Sequence, residues 1–410
     1  MESPLHVIFV VPYGMETTLR FVRAAAALPG LRLAIISQQD QREFPQDLTS
    51  RLVGFERIQD PLDTDALEAA VRKLSRACLG GHVDRLIGIL EQLQEPLAEV
   101  RERLKIRGMD REEATNFRDK AVMKDALRAA GLPCAKHALA TNKDAALAFA
   151  SETLPLVVKP PAGAGARNTF RVNTREELES YLRSMPPSEA DPVLLEEFIQ
   201  GREHSYDSIS IGGEHVFHSI SRYYPTPLEV MEHPWLQWCV ILPREIDGPE
   251  YAAIREAGPM ALDALGMVTG MTHMEWFERS DGSIAISEVA ARPPGAQFTS
   301  LISLAHGRDF YSDWAQVVVH ERFEPPARRW SVGALFLRGQ GDGHVTQVHG
   351  LEEARKELGS LVAQAKIPQP GQPKASTYEG EGYVILRADT TAEVEAGMRR
   401  LTELLRVEMG

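Results

Sequence analysis

The sequence has few cysteines and no long apolar run, and each shortage excludes a class of protein. Cys78, Cys134 and Cys239 are odd in number and far apart, so neither a disulfide framework nor a cysteine-based zinc site is expected. We therefore expect a reducing, cytoplasmic compartment. No apolar stretch approaches the roughly 20 residues of a membrane helix. The short apolar run at 5–11 lacks the basic flank and the cleavage site of a signal peptide.

Positive charge is also in short supply. Lys and Arg number 45 against 58 Asp and Glu, which gives a net charge of −13. This balance argues against nucleic acid or an anionic membrane as the main partner. The 43% hydrophobic and 25% charged fractions are those of an ordinary globular protein. At roughly 150 residues per domain, the 410 residues allow two or three domains.

Strand and helix patterns alternate at the start of the chain. Apolar runs predict strands at 5–11, 31–37 and 84–90, and helical periodicity predicts helices at 15–28 and 65–79. This alternation is typical of a parallel α/β layer. We place this first domain at residues 1–115.

After residue 115 the strand–helix alternation gives way to signals for antiparallel strands. Gly212-Gly213 and Asp281-Gly282 indicate two antiparallel hairpins, and residues 222–248, rich in proline and aromatics, are expected to form a long loop. Short strands and a final helix predict a small α+β lobe at the end. The expected domains are 116–325, divided into a small lobe (about 120–200) and a large lobe (about 201–325), and 326–410.

A strand that ends in Lys159 runs into a loop of small residues that includes Gly163 and Gly165. Such a loop lets backbone N–H groups approach phosphate oxygens, and the lysine adds a positive charge. It is not a Walker loop, because no Gly-Lys-Ser/Thr ends it. A surface loop after a buried strand explains the pattern equally well.

Two acids interrupt an apolar strand at Glu196 and Glu197, before Phe198 and Ile199, and Glu203 follows. Burying a glutamate costs several kcal/mol unless it is paired. A purine amino group and a ribose diol are suitable partners. Taken alone, a solvated strand end is the simpler interpretation.

The strongest pattern joins Glu275, Glu288 and Arg292. Two glutamates on successive strands of a hairpin can lie side by side, and their repulsion favours a bound cation. Mg²⁺ takes few protein carboxylates and completes its shell with water and phosphate. Arg292 suits a carboxylate or a transferring phosphoryl group. Apolar flanks disfavour the alternative, a hairpin with exposed acids.

Two further residues are ambiguous. His273 shares a strand face with Glu275, and it either contacts substrate or is a satisfied, half-buried histidine. Glu91 follows a parallel strand at its carboxyl end, where ligand sites of α/β folds lie. A helix N-terminal acid, stabilised by the helix dipole, is the alternative for Glu91.

Taken in order, these motifs resemble those of the ATP-grasp superfamily. The segment Asn116-Phe117-Arg118-Asp119-Lys120, followed by Gly131-Leu132-Pro133, looks like the family's entry motif. The bacterial L-amino-acid ligases (dipeptide synthetases) are the most similar group, and the C-terminal segment resembles that of biotin-carboxylase-like members. The resemblance implies an α/β and α+β fold: a pre-ATP-grasp domain, an ATP-grasp domain and a small C-terminal lobe.

The resemblance also implies roles for individual residues. Lys120 and Lys159 would contact the ATP phosphates, with Gly163 and Gly165 in the loop between lysine and strand. Glu196 would face the adenine amino group, the segment Glu197-Phe198-Ile199 would hold the adenine edge, and Glu203 would bind ribose. Glu275 and Glu288 would bridge Mg²⁺, for which Mn²⁺ is a possible substitute. Arg292 would be catalytic, near the reacting carboxylate, and Glu91 and His273 are weaker substrate candidates.

Two departures from the family pattern bear on function. Ala290 stands where many relatives have a metal-binding Asn, so one metal ligand of the family pattern is missing. Ala296 stands where biotin carboxylases have a catalytic Glu, which counts against carboxylation. The predicted function is an ATP- and Mg²⁺-dependent carboxylate–amine ligase that forms an acyl phosphate. The alternatives are an ATP-dependent carboxylase or formyl-type ligase, and a non-catalytic nucleotide-binding protein. Small carboxylates and amines are the expected partners, with a homodimer possible.

Overall fold

The computed structural model describes residues 3–163, 168–233 and 235–410. The chain opens with a parallel sheet in the spatial order β3-β2-β1-β4, which confirms the predicted α/β layer. Its strands are β1 (Leu5–Val10), β2 (Leu31–Ser37), β3 (Gly54–Arg57) and β4 (Arg85–Ile87). Val7 and Phe9 of β1 enter one core cluster, and Ile8 and Val10 enter another. This central strand is therefore apolar on both faces, as a covered parallel sheet requires.

Helices connect and cover these strands. They are α1 (Glu16–Ala26), α2 (Gln46–Thr49), α3 (Thr64–Cys78) and α4 (Gln94–Leu104), with 3₁₀ turns at Gln41–Glu43 and Glu91–Leu93. Asp63 caps α3 by accepting from the backbone N–H groups of Asp65 and Ala66, which satisfies amides that have no partner inside the helix. The turn that begins at Glu91 follows β4, so this carboxylate lies at the carboxyl end of the sheet.

Asp119 joins the next two helices, α5 (Arg111–Arg118) and α6 (Lys120–Ala129). Its extended backbone ends α5, and its side chain accepts from the N–H groups of Ala121 and Val122 at the start of α6. Arg118, the last residue of α5, and Lys120, the first residue of α6, therefore flank the capping residue Asp119. The backbone N–H of Lys120 donates to the carbonyl of Pro161 at 3.0 Å, which ties this turn to the segment after Lys159.

A small antiparallel sheet in the order β5-β8-β6-β7 follows. It consists of β5 (His137–Ala140), β6 (Leu156–Lys159), β7 (Phe170–Val172) and β8 (Val193–Glu197), with helices α7 (Lys143–Glu152) and α8 (Arg175–Ser184). Leu156, Val158 and Leu195 point into the core beneath these helices. Lys159 and Glu196 therefore lie at adjacent positions on the opposite face of this sheet.

The largest sheet has the order β13-β12-β9-β10-β11-β14-β18-β17. Its strands are β9 (Arg202–Ile211), β10 (Glu214–Tyr224), β11 (Trp238–Leu242), β12 (Gly270–Glu278), β13 (Ile284–Ala290), β14 (Ser331–Leu337), β17 (Val362–Lys366) and β18 (Gly382–Ala388). Gly212 and Gly213 both have positive φ, +60° and +86°, as a tight two-residue hairpin turn requires. Both predicted hairpins are present.

Residues 222–248 do not form the long loop that their proline and aromatic content predicted. They contain the end of β10, the helix α9 (Pro227–Glu232) and all of β11. Pro227 occupies the first turn of α9 behind the capping box of Thr226 and Glu229, where proline is favoured. Trp238, 1% exposed, is buried within the sheet. Tyr223 also belongs to the core, whereas Tyr224 and Trp235 are exposed.

The C-terminal residues divide between this sheet and a separate small one. The remaining helices are α10 (Ala252–Leu265), α11 (Phe298–His306), α12 (Phe310–His320), α13 (Leu351–Leu358) and α14 (Thr391–Leu404), with 3₁₀ turns at Pro249–Tyr251 and Gly359–Leu361. The small sheet consists of β15 (Gly339–Gln340), β16 (Val345–His349) and β19 (Arg406–Met409). Because β14, β17 and β18 join the largest sheet, the sheet continues across the boundary expected near 325. The domain limits stay a prediction.

The first layer packs on the large lobe through α1 and α12. The ring of Phe21 meets the ring of Trp314 edge to face at 5.1 Å, and the Arg20 guanidinium donates to Gln297 and Ser300. Within the described part of the chain, no helix combines the length and the apolar character needed to cross a membrane.

Candidate active site

A cavity of about 570 Å³ is lined by both the small and the largest sheet. Among the described residues, every predicted site residue lines it except Glu91. The predicted lining residues are Lys120, Lys159, Gly163, Glu196, Glu197, Phe198, Ile199, Glu203, His273, Glu275, Glu288 and Arg292. Gly165 lies outside the described residues. Side chains separated by more than 170 positions in sequence thus meet at one place.

The two predicted metal acids are direct cross-strand neighbours. Glu275 of β12 is paired with Glu288 of β13, and the register shifts immediately afterwards, where Trp276 faces Ile286. The shift leaves Ser287 as an extra residue, a β-bulge, and bulges re-aim neighbouring side chains. Ile286 consequently packs with Trp276 in the core while Glu288 faces the cavity. Regular alternation would have put Ile286 and Glu288 on the same face.

Lys120 is already paired with one of these acids. Its ammonium lies 2.9 Å from Glu288 Oε1 and donates to the carbonyl of Gly163 at 2.9 Å. Burial by itself would raise the pKa of Glu288, but the charges of Lys120 and Lys159 outweigh it and lower this pKa to about 2. Glu288 is therefore ionised throughout the physiological range, as a metal-binding carboxylate must be.

A buried network of alternating charges surrounds Glu196. Its Oε2 lies 2.8 Å from the Lys159 ammonium and its Oε1 3.3 Å from that of Lys124. Burial opposes ionisation of Glu196, yet the two lysines lower its pKa. Lys124 is completely buried, which lowers its pKa, and it also donates to the carbonyl of Ser287. The bulge in β13 thus supplies the acceptor for Lys124 and links β13 to the small lobe.

The segment after Glu196 forms one edge of the cavity. Glu197 accepts from Arg279 at 2.7 Å, and the guanidinium of Arg171 lies 4.0 Å from the ring centre of Phe198. Glu203 is 7% exposed. Burial, followed by the negative charge of Glu275, raises the pKa of Glu203 well above its usual range. This acid is therefore the cavity carboxyl most able to donate a hydrogen bond.

His273 has a buried carboxylate partner. Its Nδ1 lies 2.6 Å from Asp207 Oδ1, and its Nε2 lies 3.6 Å from Glu275 Oε1. Ser205 donates to the other oxygen of Asp207 at 2.8 Å. Although burial lowers the pKa of His273, Asp207 and Glu275 together raise it to about 9. His273 is thus a satisfied, positively charged histidine that also lines the cavity, so both sequence interpretations describe part of its environment.

Arg292 forms a salt bridge with Glu91 of the first layer. Its Nε and Nη2 donate to Glu91 Oε2 at 3.1 and 2.8 Å, and Arg118 donates to Oε1 of the same carboxylate at 2.8 Å. Glu91 is 5% exposed and has two arginine partners. The first layer therefore contributes a carboxylate that orients Arg292 toward the cavity. A direct contact between Glu91 and substrate stays a prediction.

Sequence reasoning missed three residues that matter here. Lys124 lies one helical turn after Lys120, so the spacing of four residues was a usable signal. Asp207 lies on β9 at the position paired with His273, but most residues of β9 are polar, so no local signal distinguishes this acid. Tyr378 lines the cavity beside Trp238, 4.6 Å between ring centres. No local pattern identifies Tyr378, because it arrives from the C-terminal segment only through the tertiary fold.

The donor set at the acid pair suits Mg²⁺. Glu275 and Glu288 offer hard carboxylate oxygens from adjacent positions on one sheet face, and Mg²⁺ binds through one or two such groups with water and phosphate in its remaining positions. Lys120 is the present partner of Glu288, and it would be released for phosphate when a cation takes its place. Ala290 adds no ligand.

Part of the chain matches a known protein family. Residues 125–303 match the ATP-grasp domain family. An L-arginine-specific L-amino acid ligase of Bacillus subtilis is 26% identical over 252 residues, covering 60% of this chain and 59% of that protein. The uncharacterized protein y4rH of Sinorhizobium fredii is 25% identical over 86% of this chain and 74% of its own length. The chain thus spans less than two thirds of the Bacillus ligase.

The fold is shared along the whole chain. The crystal structure of an L-amino acid ligase from Bacillus licheniformis superposes with a TM-score of 0.79 at 21% identity, covering 100% of both chains. The predicted combination of a parallel α/β layer with antiparallel sheets is confirmed by this likeness and by the strand order described above.

Proposed function

We propose, from the ATP-grasp domain that this chain carries, that the protein is an ATP- and Mg²⁺-dependent carboxylate–amine ligase. One observation carries the proposal: a single cavity holds Lys120, Lys159, the Glu275–Glu288 pair and Arg292. In this reaction the γ-phosphoryl group of ATP passes to a substrate carboxylate, giving an acyl phosphate and ADP. An amine then attacks the acyl carbon, and phosphate leaves.

The lysines and Arg292 supply positioning and charge, which provide most of the catalysis in phosphoryl transfer. Lys120 exchanges its contact with Glu288 for phosphate oxygens, and Lys159 approaches them from the end of β6. Arg292 faces the carboxylate that accepts the phosphoryl group. Because Glu91 binds the Nε side of its guanidinium, the arginine is preorganised for an oxyanion.

Glu275 and Glu288 would hold Mg²⁺, which when bound neutralises charge on the phosphates. The small-lobe edge at Glu197-Phe198-Ile199 is proposed to hold adenine, with Glu203 at the ribose. Enclosure between the two lobes also excludes water. An acyl phosphate requires this exclusion because water would hydrolyse it. No side chain has to act as a covalent nucleophile.

The substrate is proposed to be an amino acid or a similar small carboxylate. The related Bacillus protein is named as an amino acid ligase, which supports this class for the chain. The inner cavity wall is aromatic, and the rings of Tyr223 and Phe298 lie 5.8 Å apart. Use of Mn²⁺, a homodimer and a cytoplasmic location remain predictions from the sequence.

The test is ADP release, measured with ATP and Mg²⁺ against a panel of amino acids, singly and in pairs, with bicarbonate and formate included. Ligase activity predicts ADP and a dipeptide or amide, identified by mass, only when both a carboxylate and an amine are present. ADP formation that requires bicarbonate instead would support a carboxylase, although Ala296 places only a methyl group at the cavity wall.

A nucleotide-binding protein without turnover is the second candidate, and Ala290 favours it. This residue lines the cavity opposite His273 and offers no metal ligand where many relatives have one. Tight ATP binding with no ADP formed from any panel member would support this candidate and contradict the ligase.

A further inference from the structure

The first layer holds a group of metal-ligating side chains that the proposed reaction does not use. His6, His82 and Asp84 each place one ligand atom within 4.8 Å of the others. None of the three lines the cavity. His6 lies at the start of β1, and Asp84 immediately precedes β4, so the cluster is at the amino ends of these parallel strands. Glu91 and the cavity are at the carboxyl ends.

The sheet itself fixes two members of this cluster. The backbone N–H of His6 donates to Asp84 Oδ2 at 2.7 Å, and the N–H of Asp84 donates to the His6 carbonyl at 2.8 Å. A backbone hydrogen bond thus orients the carboxylate. Metal-binding carboxylates in proteins are usually oriented by such hydrogen bonds. His6 is 9% exposed, and its Nδ1 is buried with no hydrogen-bond partner among the described residues.

Two glycines bring the third member into place. Gly80 and Gly81 have φ of +68° and +92°, conformations that favour glycine. A Cβ at Gly80 would lie 3.3 Å from Cε1 of His6, so the absence of a side chain lets this turn approach the ring closely. The turn delivers His82, whose ring centre lies 4.3 Å from that of His6.

The distance between His82 and Asp84 is close to that of a tetrahedral site. His82 Nε2 lies 3.6 Å from Asp84 Oδ2. Ligands about 2.0–2.2 Å from a tetrahedral Zn²⁺ are separated by about 3.4 Å. The His82 side chain is 61% exposed and that of Asp84 27%, which leaves a path of entry and freedom to rotate inward. Two imidazoles and a carboxylate suit Zn²⁺ better than Mg²⁺ or Ca²⁺, which prefer oxygen ligands.

We propose that His6, His82 and Asp84 bind one Zn²⁺ ion, with water in the fourth position, as a structural clip between β1, the Gly80–His82 turn and β4. The site is separate from the catalytic cavity. It would stabilise the folded first layer by mass action.

The test is metal binding by the EDTA-treated full-length protein. Calorimetry with Zn²⁺, and the visible spectrum of tetrahedral Co²⁺ as a substitute, measure stoichiometry and affinity. The measurement is made in a Glu288→Gln background, so that the cavity acids compete less for the ion. One equivalent is expected to bind, and Zn²⁺ is expected to raise the melting temperature.

Variants identify the ligands. His82→Ala, a change at an exposed side chain that should leave folding intact, is expected to weaken Zn²⁺ binding at least about tenfold and to abolish the rise in melting temperature. Asp84→Asn, which keeps an acceptor for the His6 N–H, should weaken binding similarly. The matched control is His349→Ala, a histidine in the C-terminal segment paired with Glu408. Unchanged affinity in His82→Ala, or a Kd weaker than about 1 mM in the Glu288→Gln protein that keeps all three ligands, would overturn the proposal.

Discussion

The two walls of the cavity contribute different charged groups. Lys120 and Lys159 line it on the small-lobe side, and the acids Glu275 and Glu288 line it on the large-lobe side. Lys124 is completely buried beside Glu196. The walls contact each other through the Lys120–Glu288 pair at 2.9 Å and the Lys124 contact with Ser287. On the proposed function, the lysines would face phosphate and the carboxylates would face a metal once the Lys120–Glu288 pair is separated.

The difference between the walls also concerns how each charge is supported. Lys159 has a dedicated counter-ion, Glu196, on the adjacent strand, so its charge persists whatever the cavity holds. Glu288 depends on Lys120 across the cleft. On the proposed function, binding of nucleotide and metal would therefore rearrange the Lys120–Glu288 pair and leave the Lys159–Glu196 pair in place. Variants on the two walls should consequently fail in different ways.

The largest effect is expected on the acidic wall. Glu288→Gln should abolish ADP formation while ATP still binds, because the lysines remain and only the metal carboxylate is lost. Steady-state ADP release and calorimetry with ATP measure the two properties. The matched control is Glu278→Gln, an acid of the same strand pair that instead contacts Arg202. Turnover above about a tenth of wild type at saturating Mg²⁺, a difference of roughly 1.4 kcal/mol, would contradict the metal assignment.

The next largest effect is expected at Arg292, which is proposed to face the substrate carboxylate. Arg292→Ala should lower turnover by about 10²–10³ with nearly unchanged ATP affinity, since removing one donor to a developing oxyanion typically costs that much. Arg255→Ala, which removes an arginine that pairs with the exposed Asp247, is the control. Loss of ATP binding with turnover kept at high ATP would instead make Arg292 a nucleotide ligand.

Local sequence was enough to predict the parallel layer and both hairpins, and it singled out Lys120, Lys159, Glu275 and Glu288, which line one cavity. Each of those depends on alternation, turn chemistry or motif order within a short stretch. It was not enough for β11, because the proline and aromatic residues around Trp238 suggest a loop until their burial between β10 and β14 is known. It was also insufficient for the bulge at Ser287. The alternation rule alone assigns Ile286 and Glu288 to one face, and only the pairing with β12 separates them.

The contacts between distant segments were equally invisible. Glu91 orients Arg292 although the two residues are 201 positions apart. No local pattern at either residue predicts this contact. Tyr378 reaches the cavity because β14 and β18 extend the large sheet. Tertiary proximity of this kind has no local signature.

Stability at low pH should depend on His306, which lies buried and neutral in the large lobe. Burial lowers its pKa to about 4, while an unfolded histidine titrates near 6.5. Below about pH 6.5 the unfolded chain therefore binds a proton that the folded chain does not. The free energy of unfolding falls as pH drops toward 4, by about 2 kcal/mol for this group between pH 7 and 5.

Urea unfolding at pH 7 and pH 5 measures this effect. His306→Gln should show a smaller pH dependence than wild type. The control is His344→Gln, a substitution at an exposed side chain, and it should match wild type. Identical pH dependence in all three proteins would mean that other groups govern acid stability.

The smallest expected effect concerns the edge of the small lobe. The Glu196-Glu197 segment is predicted to present an acceptor and a backbone edge to the adenine amino group. Guanine has an oxygen at the corresponding position, so an acceptor would face an acceptor and one buried group would lose its hydrogen bond. ATP should be preferred over GTP by at least about tenfold in kcat/KM, close to 1.4 kcal/mol. Initial rates with each nucleotide at saturating amino acid measure the ratio.

Because Glu196 is already paired with Lys159 and Lys124, the Glu196→Gln variant separates two sources of this selectivity. Selectivity that survives the substitution arises from the backbone edge, selectivity that disappears arises from the carboxylate, and equal use of both nucleotides by wild type would remove adenine from this edge altogether.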